Sequence, residues 1–160
     1  NMPTFSVSNT AGVTLTNVDS TSQFTTGTVV NLSDGGQAVY VQALSEISAY
    51  AAVAIYDTQK AQMMTTTLAA TCKRVGFAQT SIASGYYGWV QMGGKVMVNL
   101  AANCAPNVPL YTTATSGVLD DAVVSGGAVF GLVATSSISN ATAVTCIAGY
   151  PHIASGIAGT

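Results

Sequence analysis

Side chains that could carry acid–base chemistry are few in this chain of 160 residues. It has one histidine, four basic residues and six acidic residues. His152 follows Pro151 near the end of the chain, and no motif places a nucleophile beside it. Because acid–base catalysis needs groups that titrate near neutral pH, the sequence predicts that the protein is not an enzyme and uses no cofactor. His152 is predicted to be a surface or interface imidazole, and a hydrolase that depends on it is the minor alternative.

Metal-ligating residue types are present without a metal-binding pattern. Asp120 and Asp121 are the only adjacent carboxylates. Since neighbours in a strand point to opposite faces, we expect them to lie in a solvated turn and not to converge on a metal. Cys72, Cys104 and Cys146 are spaced too widely for a zinc motif. We expect three buried, reduced thiols; the alternative is one disulfide and one free cysteine in a secreted domain.

An aromatic segment, Tyr86-Tyr87-Gly88-Trp89, is the most distinctive stretch of the sequence. Tyr and Trp combine a large contact area with a polar tip, so they often anchor interfaces or line sugar sites. A single Trp in a small β domain is more often part of the core. We therefore interpret Trp89 as a core residue and Tyr86 and Tyr87 as candidates for an interface.

The surface must be nearly neutral. Charged residues make up 6% of the chain, against about a quarter in an average globular protein, and the formal net charge is −2. Thr, Ser, Asn and Gln supply the remaining polarity. Low net charge promotes association between proteins, while a nucleic-acid partner would require a basic patch. We expect no nucleic-acid partner and, because the apolar runs are short, no membrane partner.

Short runs rich in Val, Ile, Tyr, Phe and Thr alternate with turn signals about every 8 to 12 residues, which indicates an all-β fold. The turn Asp34-Gly35-Gly36 predicts one hairpin. The strongest predicted hairpin joins 86–92 to 95–100 through Gly93-Gly94. One helical turn is expected at 67–71. These elements suit a small β-barrel, or a sandwich, of short antiparallel hairpins; a barrel is preferred because it leaves no exposed strand edges.

Three segments are predicted along the chain: an extended N-terminal arm (1–22), the β-barrel domain (23–151) and a flexible C-terminal tail (152–160). Apolar residues alternate with polar ones in the arm, so it could add as a strand to a neighbouring protein. Its interface candidates are Phe5, Val13 and Leu15. The alternative is that this segment is a strand of the chain's own sheet.

Several short motifs resemble those of decoration (cement) proteins of tailed-bacteriophage capsids. They are Val-Gly-Phe-Ala-Gln at 75–79, Gly-Tyr-Tyr-Gly-Trp-Val-Gln at 85–91 and Leu-Tyr-Thr-Thr at 110–113, extended to 120 by Ala-Thr-Ser-Gly-Val-Leu-Asp. Tyr-Val-Gln-Ala at 40–43 and Gly-Leu-Val-Ala at 131–134 add to the likeness, which covers about residues 23–150.

The resemblance implies a structural role without an active site. Such a protein would be made in the host bacterial cytoplasm and would lie on the outer capsid surface of the virion. It would bridge subunits of the major capsid protein and stabilise the shell, with a homo-oligomer of the chain itself as a further partner. The alternative function is a receptor- or glycan-binding fibre or adhesin module that uses Tyr86, Tyr87 and Trp89.

Overall fold

The computed structural model describes residues 14–154 and is almost entirely β-structure. All its named strands pair within one continuous sheet. The elements are β1 (Val18–Asp19), β2 (Val29–Asn31), β3 (Gln37–Ala43), β4 (Ala52–Ile55), β5 (Lys60–Met63), α1 (Thr66–Ala69), β6 (Val75–Ala78), β7 (Tyr87–Leu100), β8 (Leu110–Thr112), β9 (Leu119–Asp120), β10 (Ala128–Ala134) and β11 (Thr142–Ile153).

Five strands close into a barrel in the order β3–β7–β6–β4–β5, and β5 returns to β3 by a parallel pairing. The predicted all-β barrel is therefore confirmed. Alternate residues of each strand point inward, as the period of two requires. Their side chains form a dry core that includes Val39, Val41, Val53, Ile55 and Val90.

The predicted hairpin at Gly93-Gly94 is wrong, because β7 runs without reversal from Tyr87 to Leu100. Its first half pairs with β3 and β6, and its second half pairs with β11. The register against β3 shifts between Gln37 and Ala38, which marks a β-bulge. Gly94 has a φ of +88°, and a Cβ there would lie 2.7 Å from the Gly36 Cα. The glycines thus permit a local irregularity where the strand passes from one lobe to the next.

A second lobe is built on the far half of β7. The pairing continues β7–β11–β10–β8–β9, and the parallel pair Leu100 and Leu119 links β9 back to β7. Its core contains Val96, Val98 and Leu132, and it is continuous with Phe77 on the outside of the barrel. The lobes therefore share both a strand and a hydrophobic cluster.

Cys72, Cys104 and Cys146 all belong to this second cluster, where they are buried and free, as predicted.

Helix α1 is a single turn, close to the predicted position. The Thr65 side chain caps it by accepting a hydrogen bond from the Leu68 N–H at 3.3 Å. Among the residues described, no helix has the length and apolarity that crossing a membrane would require.

The described part of the predicted arm, residues 14–22, lies against the barrel. Leu15 is fully buried, and Val18 and Asp19 pair with Gly88 and Tyr87 of β7. Residues 1–13, including Phe5 and Val13, lie outside the described residues. The structure thus follows the alternative interpretation for 14–22, a strand of the chain's own sheet.

At the other end, β11 continues through Pro151 to Ile153, beyond the predicted end of the domain at residue 151. Pro151, the predicted last residue of the β-barrel domain, thus lies within β11 and does not end it. Proline is tolerated at bulges because it lacks an N–H for a regular ladder, and the β10–β11 register shifts here, between Phe130 and Leu132. Residues 155–160 of the predicted tail lie outside the described part of the chain.

Candidate functional site

The aromatic residues that sequence reasoning singled out are mostly used in packing. Trp89 is 1% exposed, which confirms its interpretation as a core residue. Tyr87 is partly buried and its ring stacks on Tyr40, with centroids 6.0 Å apart. Leu15 is buried in the same cluster. Of the described interface candidates, Tyr86 alone is exposed, at 41%.

We call this group the covered cluster: Leu15, Phe24, Leu32, Tyr40, Tyr87 and Trp89. Tyr40, Tyr87 and Trp89 lie on the outer face of β3 and β7. Leu15 and Phe24 belong to the segment 14–24, which covers these three rings. The Trp89 ring centroid lies 4.9 Å from that of Tyr40 and 5.3 Å from that of Phe24. Such aromatic pairs add about 0.5 to 1.5 kcal/mol beyond the burial of their area.

Tyr40 also ties the segment down through its hydroxyl. The hydroxyl donates to the Asp19 Oδ2 at 3.0 Å and accepts from the Gln23 N–H at 3.3 Å. Burial raises the pKa of the Tyr40 phenol; the Gln23 N–H opposes that rise, and the Asp19 carboxylate adds to it. The protonated phenol therefore serves as the link between barrel and segment.

A second group of apolar side chains lies open on the outer face of β10 and β11. We call it the open face: Phe130, Val133, Ile147, Tyr150 and His152. The first four are between 42% and 56% exposed. Val133 pairs with Ile147 and Phe130 with His152 across the strands, and the Phe130 and His152 rings stack with centroids 6.1 Å apart.

A bulge shapes this face. Gly149, Tyr150 and Pro151 of β11 are opposed by Gly131 alone on β10. Gly131 has a φ of +77°, and a Cβ there would lie 2.6 Å from the Gly149 carbonyl oxygen. Tyr150 has a φ of +51°, in the left-handed region that costs a bulky residue about 1 to 2 kcal/mol. Strain of this kind is often found at functional positions, and here it accompanies a Tyr side chain that is 56% exposed.

An apolar groove of about 360 Å³ borders the open face on the side of β8. Phe130 and Val133 of the open face line it together with Val108, Pro109 and Tyr111. The register pairs β10 with β8 only at Ala128 and Val129, so the edge of β10 beyond these residues borders the groove. The lining residues include no charged side chain: Asn107, Val108, Pro109, Tyr111, Ala128, Val129, Phe130, Gly131, Leu132 and Val133.

The opposite end of the open face is cationic. Arg74 forms an isolated antiparallel bridge with His152, so the row Phe130, His152, Arg74 crosses three neighbouring stretches of backbone. A cavity of about 240 Å³ opens here, which we call the Arg74 pocket. Its lining residues are Lys73, Arg74, Val75, Met92, Tyr150, Pro151 and His152.

The prediction that Asp120 and Asp121 do not converge is wrong. Their carboxylate oxygens and the Cys104 Sγ lie within 4.8 Å of one another. Strand β9 ends at Asp120, so the alternation of a strand does not extend to Asp121. The Asp121 N–H donates to the Asp120 Oδ1 at 2.8 Å, and the Asp121 Oδ2 accepts from the Ala105 N–H at 2.9 Å. Both carboxylates therefore act as anchors for the local backbone.

The three thiols are poor nucleophiles. Burial raises the pKa of all three, to about 12 for Cys146. For Cys104, Asp121 and Asp120 raise the pKa further by repelling the thiolate. Since the thiolate is the reactive form, these cysteines are structural.

His152 lies with its Nδ1 3.3 Å from the Tyr150 carbonyl oxygen and its ring against Phe130. The side chain is exposed, so the structure places this imidazole on the surface.

Sequence reasoning missed Phe130, Tyr150 and Arg74 as members of one site. They are brought together by pairings between distant segments, which no local pattern reveals. The available signal was that β10 and β11 carry large apolar residues on both faces, Leu132 and Val133 for example, although one face of such strands is normally polar.

No family model matches the sequence, and no curated protein matches it. Among solved structures, the fold is similar to one described as head fiber gp8.5 N base in bacteriophage phi29. The TM-score is 0.53 at 13% sequence identity, and the match covers 73% of this chain and 97% of that chain. A likeness at this identity establishes a shared fold.

Proposed function

We propose that the protein is a structural component of a phage virion that decorates and stabilises an icosahedral capsid. In this role it bridges major capsid subunits on the outer surface. The observation that supports the proposal most directly is the fold shared with the base of a phage head fibre, over nearly all of that chain. The neutral composition and the open face are both consistent with a protein that functions by being held against others.

The open face is the proposed attachment surface. Its apolar and aromatic side chains would be removed from water on docking, at about 25 cal/mol per Å² of apolar area. The contact made by one open face alone would be weak. On a symmetric lattice, however, linked contacts raise the overall affinity by orders of magnitude without further area.

Co-sedimentation with purified, undecorated phage heads tests the proposal. We expect saturable binding with a copy number that matches the symmetry of the shell. The double variant Phe130→Ser, Ile147→Ser should bind at least about tenfold more weakly, because each residue is a large part of the exposed apolar area. A matched control is Val29→Ser, Val123→Ser, which removes two exposed apolar residues outside the open face. No binding by the unaltered protein would refute the proposal.

The predicted arm can be tested separately if the deletion is confined to residues 1–13. A longer deletion would remove Leu15 and uncover the covered cluster, so lost binding could reflect misfolding. We expect deletion of 1–13 to weaken attachment to heads while the thermal midpoint is unchanged. Equal binding by both forms would show that the arm is not an attachment element.

The base of a head fibre is the second candidate function, favoured by the same structural similarity. The two roles differ in where the protein lies on the particle. Electron cryomicroscopy of native particles would show density repeated across the capsid lattice for a decoration protein, and density only at the foot of projecting fibres for a fibre base. Sedimentation velocity would establish whether the chain forms a homo-oligomer.

A glycan site on Tyr86, Tyr87 and Trp89 is less consistent with the geometry, because Trp89 is buried under Phe24. We expect the Trp89 fluorescence to be unaffected by added sugars. Strong quenching would restore the receptor-binding alternative.

A further inference from the structure

The Arg74 pocket contains the only arginine of the chain. Its guanidinium group donates from Nη1 to the Gln59 Oε1 at 3.0 Å and from Nη2 to the Met92 Sδ at 3.4 Å. An amide oxygen is a neutral acceptor and a thioether sulfur is a weak one. A guanidinium carries five N–H donors in a planar fork that matches a carboxylate. Among residues 14–154, the hydrogen bonds described for this guanidinium therefore include no bidentate pairing with a carboxylate.

The acceptors described for Arg74 within residues 14–154 are an amide oxygen and a thioether sulfur, and several carboxylates have other partners. Asp19 accepts from Tyr40, Asp34 from the Gly36 N–H, and Asp121 from the Ala105 N–H. Asp57 and Arg74 both line a neighbouring pocket, and the hydrogen bonds described for the Arg74 guanidinium go to Gln59 and Met92. Lys73, the other cation of the pocket, donates from Nζ to the Ala69 carbonyl oxygen at 2.7 Å.

The position of the pocket connects it to the open face. Arg74 follows Phe130 and His152 in a row across the strands, and Tyr150 contributes to both the face and the pocket. Met92 and Pro151 add apolar wall. A partner that packs on Phe130 and Tyr150 would thus bring a neighbouring side chain close to Arg74. Because apolar groups surround Arg74, a charge pair there is stronger than one in open water.

We infer that the Arg74 pocket binds the carboxylate of a Glu or Asp side chain on the protein to which the open face docks. Phosphate of a nucleic acid fits less well, because the chain has a net charge of −2 and only four basic residues in all. That the carboxylate belongs to a capsid protein rests on the proposed function; that the pocket binds a carboxylate does not.

A direct test uses the side-chain signal of Arg74, which is unambiguous because there is one arginine. In ¹⁵N-labelled full-length protein, the Nε–Hε resonance is followed while acetyl-Ala-Glu-Ala-amide is added, with acetyl-Ala-Gln-Ala-amide as the matched control. We expect a saturable shift at about millimolar concentration with the Glu peptide and none with the Gln peptide. Equal shifts, or no shift with the Glu peptide, would overturn the inference. A shift with inorganic phosphate but not with the Glu peptide would also overturn it, in favour of a phosphate site.

Binding to heads tests the same pocket in its proposed setting. Arg74→Gln should weaken co-sedimentation about tenfold or more, because the partner carboxylate would be left unpaired. Lys60→Gln, the same loss of charge at an exposed lysine outside the pocket, should have little effect. Equal losses for the two variants would contradict the inference.

The two tests also separate the two proposals. If the unaltered protein does not bind heads but the Glu peptide shifts Arg74, the proposed function fails and the carboxylate site stands. Since the peptide titration uses the unaltered chain, it remains decisive even if Arg74→Gln does not fold.

Discussion

The covered cluster and the open face are both rich in aromatic and aliphatic side chains, but they differ in their exposure to solvent. Trp89 in the first is 1% exposed, whereas Phe130 in the second is 42% exposed. The difference is that the segment 14–24 lies over the first, held by the hydroxyl of Tyr40, and no described segment lies over the second. Aromatic content alone therefore does not locate an interface; what matters is whether the chain covers its own aromatic residues.

The largest loss of stability is expected from a substitution at the centre of the covered cluster. Trp89→Ala removes a fully packed indole from between Tyr40 and Phe24, so we expect a loss of about 3 to 5 kcal/mol in the free energy of unfolding. Urea denaturation followed by circular dichroism measures it. A loss below about 1 kcal/mol would mean that Trp89 is not packed as described.

A smaller loss of stability is expected from a substitution at Gly94, where β7 passes from one lobe to the other. Gly94→Ala places a Cβ 2.7 Å from the Gly36 Cα at a φ of +88°, and should destabilise by about 2 to 3 kcal/mol. Gly35→Ala is the matched control: its φ is +84°, but a Cβ there meets nothing within 4 Å. It should cost only about 1 kcal/mol. Equal costs would show that the close approach at Gly94 does not matter.

Tyr40→Phe sharpens the comparison, because it keeps the ring and removes only the link to the covering segment. We expect a loss of about 1 kcal/mol, or up to about 2 kcal/mol if the Asp19 carboxylate is left poorly solvated. Hydrogen exchange at residues 16–23 should become faster than in the unaltered protein. Tyr50→Phe, at a 37% exposed tyrosine, should leave both quantities unchanged.

The smallest change in the free energy of unfolding is expected from a substitution in the open face. Phe130→Ala should change the free energy of unfolding by no more than about 0.5 kcal/mol, because the side chain is 42% exposed and its ring stacks on the exposed His152. The same urea titration measures this. A loss comparable to that of Trp89→Ala would show that the open face supports the fold and is not a free surface.

Local patterns in the sequence were reliable where the fold depends on local alternation. Val39, Val41 and Ala43 alternate along the sequence, which is the spacing of one strand face, and all three lie in the barrel core. A glycine inside a strand often marks a close approach, and a Cβ at Gly76 of β6 would overlap the Val90 Cγ1. The turn at Asp34 is likewise confirmed by its hydrogen bond to the Gly36 N–H.

Features set by pairing between distant segments could not be predicted. A Gly-Gly pair between two strand-like runs is equally compatible with a hairpin and with a bulge, and the choice at Gly93-Gly94 depends on β3, β6 and β11. The row Phe130, His152, Arg74 likewise unites residues up to 78 positions apart. The candidate site was missed for this reason.

The continuity of strand β7 has a mechanical consequence for the chain. The two lobes are built on opposite halves of β7, which pair with β3 and with β11. A tension applied between β3 and β11 would therefore act along the backbone of β7 and load its interstrand hydrogen bonds in shear. Many bonds would then have to break together, and the chain should resist stretching far better than two domains joined by a loop.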